Sequence, residues 1–153
     1  MRELCLTVAL LAGIGVHAPA ADPGGKVECV GGTIAEVPEG HKGHLLTVNQ
    51  RFLVYESKSG HYLIPWDSIN VLEYGQKVSR RLAMAVLISP VLALSKSRKH
   101  FLTIGFESPD GEQQALLFRV HKSDIRSLLV SIEMKADLPV EYQDEEARRA
   151  GKG

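Results

Sequence analysis

Two histidines three positions apart, in His41-Lys42-Gly43-His44, are the first residues whose type and spacing could do chemistry. Imidazoles at this spacing can ligate zinc, but zinc takes three or four protein ligands. No Cys, Asp or further His at motif spacing completes the set, although His61 could join in space. His41, His44 and His61 are therefore weak metal candidates, and a solvated turn is the competing reading of residues 41–44. No metal and no cofactor is assigned. Glu107, Asp110 and Glu112 cluster around a turn but offer too few fixed oxygens for calcium. None of the many serines sits in a nucleophile-elbow pattern, and no glycine-rich loop is shaped to cradle a phosphate. With no catalytic constellation, the chain is expected not to be an enzyme.

A different chemistry lies between two clusters of positive charge. Arg80 and Arg81 precede an uncharged run over residues 82–94; Lys96, Arg98 and Lys99 follow it. Eight of the thirteen residues in the run are large: Leu82, Met84, Val86, Leu87, Ile88, Val91, Leu92 and Leu94. At roughly 1.5–3 kcal/mol per large side chain buried, leaving them in water forfeits more than about 10 kcal/mol. A whole domain is stable by only about 5–15 kcal/mol. The run therefore belongs in a bilayer surface, against a protein partner or in the core. As a helix it would be about 20 Å long, short of the roughly 30 Å hydrocarbon layer, and Ser89-Pro90 would kink it. An apolar loop that dips into a membrane, its basic collar meeting anionic lipid, is the leading expectation. Homo-oligomerisation or protein docking through the same segment is the alternative.

Composition bounds the rest. The 153 residues suit one domain, and Lys+Arg and Asp+Glu are both 18, so no global charge marks a nucleic-acid binder. Leu4 to Val16 is an apolar stretch too short to span a bilayer, followed by Ala18-Pro19-Ala20. Residues 1–20 are expected to be a signal peptide, with residues 21–26 as a short leader. The expected address is exported: periplasmic or cell-envelope, in a bacterium. Cleavage would leave Cys29 as the only cysteine, so no internal disulfide can form. Its setting, Val27-Glu28-Cys29-Val30, is that of a buried small hydrophobe.

The elements that must position these residues are mostly strands. Alternation and turn residues predict strands over 27–37, 44–48, 51–56, 61–64, 69–78, 99–107 and 112–120. Gly31-Gly32 marks a bulge or a close backbone approach. Asn49-Gln50 is a tight connection in which Asn tolerates positive φ, and Ser108-Pro109-Asp110-Gly111 is a strong hairpin signal. Trp66 after Pro65 is a core or rim anchor with a satisfied indole N–H. The period then changes. Ile125, Leu128, Leu129 and Ile132 fall on one face of a helix over 123–136 that Val130 and Met134 widen, with Ser123 as its cap. Leu138 to Tyr142 is a short extended piece. Residues 143–153, mixed in charge and without an apolar anchor, are expected to be largely disordered.

Seven short antiparallel strands followed by one amphipathic helix resemble the pleckstrin-homology (PH) superfold. Leu45-Leu46-Thr47-Val48, Phe52-Leu53-Val54-Tyr55, Ile64-Pro65-Trp66 and Ile69 look like its GRAM and bacterial PH-like branch, and Lys99 to Ile104 is similar to the sixth strand of exported bacterial proteins of this type. The resemblance covers residues 27–136 and rests mostly on strand order. It implies a mainly β, α+β fold: a bent, barrel-like sandwich whose open end the helix plugs. PH relatives that bind phosphoinositides carry several Lys and Arg between the first two strands. Here Pro38 to Gly43 has only Lys42, which argues against head-group recognition of that kind. The expectation is a non-enzymatic exported domain that meets an envelope membrane, or a protein partner, through residues 82–94.

Overall fold

The computed structural model describes residues 24–77 and 99–152. The expected signal peptide and the apolar run 82–94 lie outside the described residues. In chain order the elements are β1 (Gly24–Gly32), β2 (Lys42–Leu46), β3 (Phe52–Ser57), β4 (Gly60–Pro65), a 3-10 turn (Trp66–Ser68), β5 (Ile69–Gly75), β6 (His100–Glu107), β7 (Gln113–Val120), α1 (Ile125–Ala136), β8 (Glu141–Tyr142) and α2 (Glu145–Lys152).

The fold is mainly β with helices at its C-terminal end. All eight strands join one sheet in the order β4-β3-β2-β1-β7-β6-β5-β8. This corrects the expectation of seven antiparallel strands in a barrel. β8 lies parallel to β5, Glu141 opposite Glu73 and Tyr142 opposite Tyr74. β4 and β8 are the two edges, so the ladder does not close. The sheet instead folds over one core shared by Leu45, Leu53, Ile64, Leu72, Ile104 and Phe118. Tyr55 on β3 packs on Phe118 of β7 at 5.1 Å between ring centroids, and Tyr62 on β4 meets Phe106 of β6 at 6.3 Å.

Local chemistry explains most boundaries. β1 begins at Gly24, so residues 24–26 belong to a strand and not to a leader: Gly24 pairs with Leu46 and Lys26 with His44. It stops at Gly32, short of the expected residue 37, although Val37 beyond it is buried. A register shift between Cys29 and Gly31 is the bulge the paired glycines foretold. It turns Cys29 to the main core and Val30 to a second buried cluster with Phe101 and Leu117. Gly111 takes φ +81° in the β6–β7 hairpin, and its N–H donates to the Ser108 carbonyl at 2.9 Å. Trp66 is buried, its indole N–H donating to the Asn49 carbonyl at 3.0 Å. Asn49 itself works differently from the expectation. The one described non-glycine residue at positive φ is Asp137; Asn49 instead accepts the Arg51 and Phe52 N–H groups on its side-chain oxygen at 2.8 and 3.1 Å.

The helices bring three further corrections. Ser123 does not cap α1; the chain enters through Asp124, whose carboxylate accepts the Lys26 N–H at 2.9 Å and ties the helix start to β1. Ile125, Leu128, Leu129 and Ile132 are the buried face, whereas Val130 and Met134 are exposed. They project from the side of the helix away from the sheet and widen nothing. Residues 145–152, expected to be disordered, form α2. Asp144 Oδ1 accepts the Ala147 N–H at 2.7 Å, Ala147 is fully buried, and Gly151 lies against Tyr142, Leu129 and Tyr74. Small side chains anchor this helix through close approach, which composition alone does not register as an apolar face.

Candidate functional site

Charge that is balanced over the whole chain is unevenly placed in the fold. Along β1, Val27 and Cys29 point into the core, so Lys26 and Glu28 point to the opposite, outer face. Register then decides their neighbours. Lys42 on β2 and Arg119 on β7 both lie directly across from Glu28. His44 lies across from Lys26, and Glu56 on β3 lies across from His44. Phe101 on β6 lies across from Arg119 and continues the same face.

These side chains border one open cavity of about 870 Å³. Lys58 enters it from the turn after β3, Lys99 from the start of β6, and His121 and Lys122 from the end of β7. Six cationic side chains thus meet two carboxylates, Glu28 and Glu56. Glu28 is committed to Arg119 in a partly buried ion pair. Among the described residues no ion pair involves Lys26, Lys42, Lys58, Lys99 or Lys122. Gly43 adds uncharged backbone surface, whereas Val27 and Val120 at the floor are buried core residues.

His100 completes the wall. The Tyr74 hydroxyl lies 2.5 Å from its Nδ1, and the two rings stack at 6.0 Å. Burial, with a smaller contribution from Lys122, holds the His100 imidazole below its usual pKa. Burial also pushes the Tyr74 phenol up to about 12, so both groups are neutral near pH 7 and share one hydrogen bond between the hydroxyl and Nδ1. The arrangement has hydrogen-bond donors and an excess of positive charge. It can bind an anion.

Of the collar residues, Lys99 is in this cavity, and its N–H donates to the Gln76 carbonyl at 3.4 Å. The stems that lead to and from residues 78–98 are therefore joined beside the basic face. Arg80, Arg81, Lys96 and Arg98, and Leu82, Met84, Val86, Leu87, Ile88, Val91, Leu92 and Leu94, lie outside the described residues. The histidine candidates are not brought together. His41 sits before β2 with its Nδ1 2.6 Å from Ser59 Oγ. His44 and His61 lie on β2 and β4, each across from Glu56 on the strand between them. Among the described residues no group of three or more His, Cys, Asp or Glu could hold a metal ion.

Sequence reasoning missed Lys26, Lys42, Lys58, Arg119 and Lys122 as a group. Each is a lone cation in an alternating strand or a turn. The signal was that the strand positions are outward-facing ones, but which outward positions are neighbours depends on strand order. No family model matches the chain, and no curated protein matches it.

Proposed function

We propose that this is a non-enzymatic, exported PH-like domain that associates with an envelope membrane, the apolar run 82–94 entering the interface and basic side chains meeting anionic lipid. The observation that carries this reading is the convergence of six cationic side chains beside the joined stems of that run, in a chain of zero formal net charge. Each Lys or Arg near an anionic surface adds about 1 kcal/mol of attraction. An apolar loop adds area-dependent burial that salt does not screen. Among the described residues no helix is long and apolar enough to cross a membrane. The order β4-β3-β2-β1-β7-β6-β5 followed by α1 supports the PH-like assignment.

The test is co-sedimentation of the protein beginning at Ala21 with phosphatidylglycerol vesicles and with phosphatidylcholine vesicles. The protein should pellet with the anionic vesicles alone. A triple variant, Val86→Ser, Leu87→Ser and Ile88→Ser, should remain in the supernatant with an unchanged melting temperature. A variant that still pellets sinks the reading. One that instead turns an oligomer into a monomer without lipid assigns the run to protein association.

A further inference from the structure

The geometry points to the outer-face cavity as a binding site for an organic phosphate monoester. This goes beyond membrane attachment and stands on the cavity alone. Five lysines border one concavity and form no ion pair among the described residues. Confining like charges together is unfavourable until a counter-charge enters. Among the described residues that border it, the one guanidinium, Arg119, pairs with Glu28 through a single Nη–Oε contact, which leaves its other N–H groups to donate.

The class of anion follows from charge and size. A carboxylate or a phosphodiester brings a single negative charge. A phosphate monoester brings about 1.5 to 2 negative charges near neutral pH and three acceptor oxygens, which suits several converging ammonium groups. A cavity of about 870 Å³ also exceeds what a bare phosphate fills and lies in the range of about 300–1,000 Å³ typical of small-molecule sites. The aliphatic stems of the bordering lysines give the organic body an apolar surface to lie on. The site is the face of the sheet, built by strand register, and not the loop between β1 and β2. Its ligand can come from a lipid with a terminal phosphate or from a soluble phosphomonoester.

Calorimetric titration with glycerol 3-phosphate, and sedimentation with phosphatidic acid vesicles against phosphatidylglycerol vesicles of equal charge, separate these sources. Binding of glycerol 3-phosphate assigns a soluble source. Preference for phosphatidic acid vesicles without it assigns a lipid source. In either case the pair Lys26→Gln and Lys122→Gln should weaken binding about tenfold or more, as should Lys42→Gln with Lys58→Gln. Arg149→Gln, on α2 outside the cavity, should change nothing. No glycerol 3-phosphate binding together with equal affinity for the two vesicle types overturns the proposal. So does binding that both lysine pairs leave intact in folded protein. The triple serine variant at residues 86–88 keeps the two readings apart, because its loss of vesicle binding with retained glycerol 3-phosphate binding bears on the apolar run alone.

Discussion

Tyr74 on β5 and His100 on β6 are joined by a hydrogen bond, the phenol oxygen lying 2.5 Å from Nδ1. Burial, with a smaller contribution from Lys122, favours the neutral form of His100. Unfolded histidine titrates near 6.5, whereas burial lowers the value in the fold. Between the two values the unfolded chain binds the extra proton, so stability falls as pH drops below about 6.5 and levels off below the folded value. Melting temperatures between about pH 7.5 and 5 in the wild type and in His100→Gln should show this slope in the wild type and a shallower one in the variant. Tyr74→Phe should cost about 1 kcal/mol by urea unfolding, the typical net value of one hydrogen bond.

Asp124 fastens α1 to β1 by accepting the Lys26 N–H and the Ser123 hydroxyl. Burial alone would raise its pKa, but these hydrogen bonds and the charges of His121 and Lys26 outweigh it and the carboxyl is held below its ordinary value. Its contribution is present above about pH 4, the unfolded carboxyl value, and is lost as pH falls through the folded one. Asp124→Ala should lower stability by about 1–2 kcal/mol at pH 7. A variant as stable as wild type at pH 7 would show that the contact is idle.

Cys29 is fully buried, and burial raises its thiol pKa, with a backbone hydrogen bond at Gly31 opposing the rise and Glu39 adding to it. A thiol held protonated is a poor nucleophile. Cys29 should resist thiol-directed reagents at pH 7.5 in native protein and react promptly in urea. Fast native labelling at this residue would contradict the packing of β1 on the loop that contains Val37.

α2 is anchored by small residues, Ala147 and Gly151. Ala147 has no exposed surface and belongs to the main core, so Ala147→Glu would bury a carboxylate there. The expected outcome is release of the helix, seen as rapid tryptic cleavage after Arg148 and Arg149, with a fall of only a few degrees in the melting temperature of the rest. Cleavage at the wild-type rate would mean that α2 is not held by this contact.

Much of the fold was legible because its signals are local. The alternating faces of 52–56, the turn chemistry at 108–111 and the i, i+3, i+4, i+7 spacing of Ile125, Leu128, Leu129 and Ile132 each depend only on neighbours in the chain. The same locality explains the misses. Asn49 was expected to relieve a turn through φ and does so through its side-chain carbonyl; both satisfy one composition. Val130 and Met134 fit an apolar face by type, yet the width of the groove under α1 decides which positions are covered.

By itself the sequence determined that the chain is β-rich, that an amphipathic helix follows its strands, and that an uncharged run with basic flanks interrupts it. Only the tertiary structure decided that β8 runs parallel to β5, that Ala147 and Gly151 hold α2, and that Lys26, Lys42, Lys58, Lys99, Arg119 and Lys122 border one cavity. The reason is one of range. Alternation says which residues leave a strand toward solvent, but strand order and register bring residues 26, 42 and 119 side by side. Those are set by how the sheet closes over its core, which no window of neighbouring residues contains.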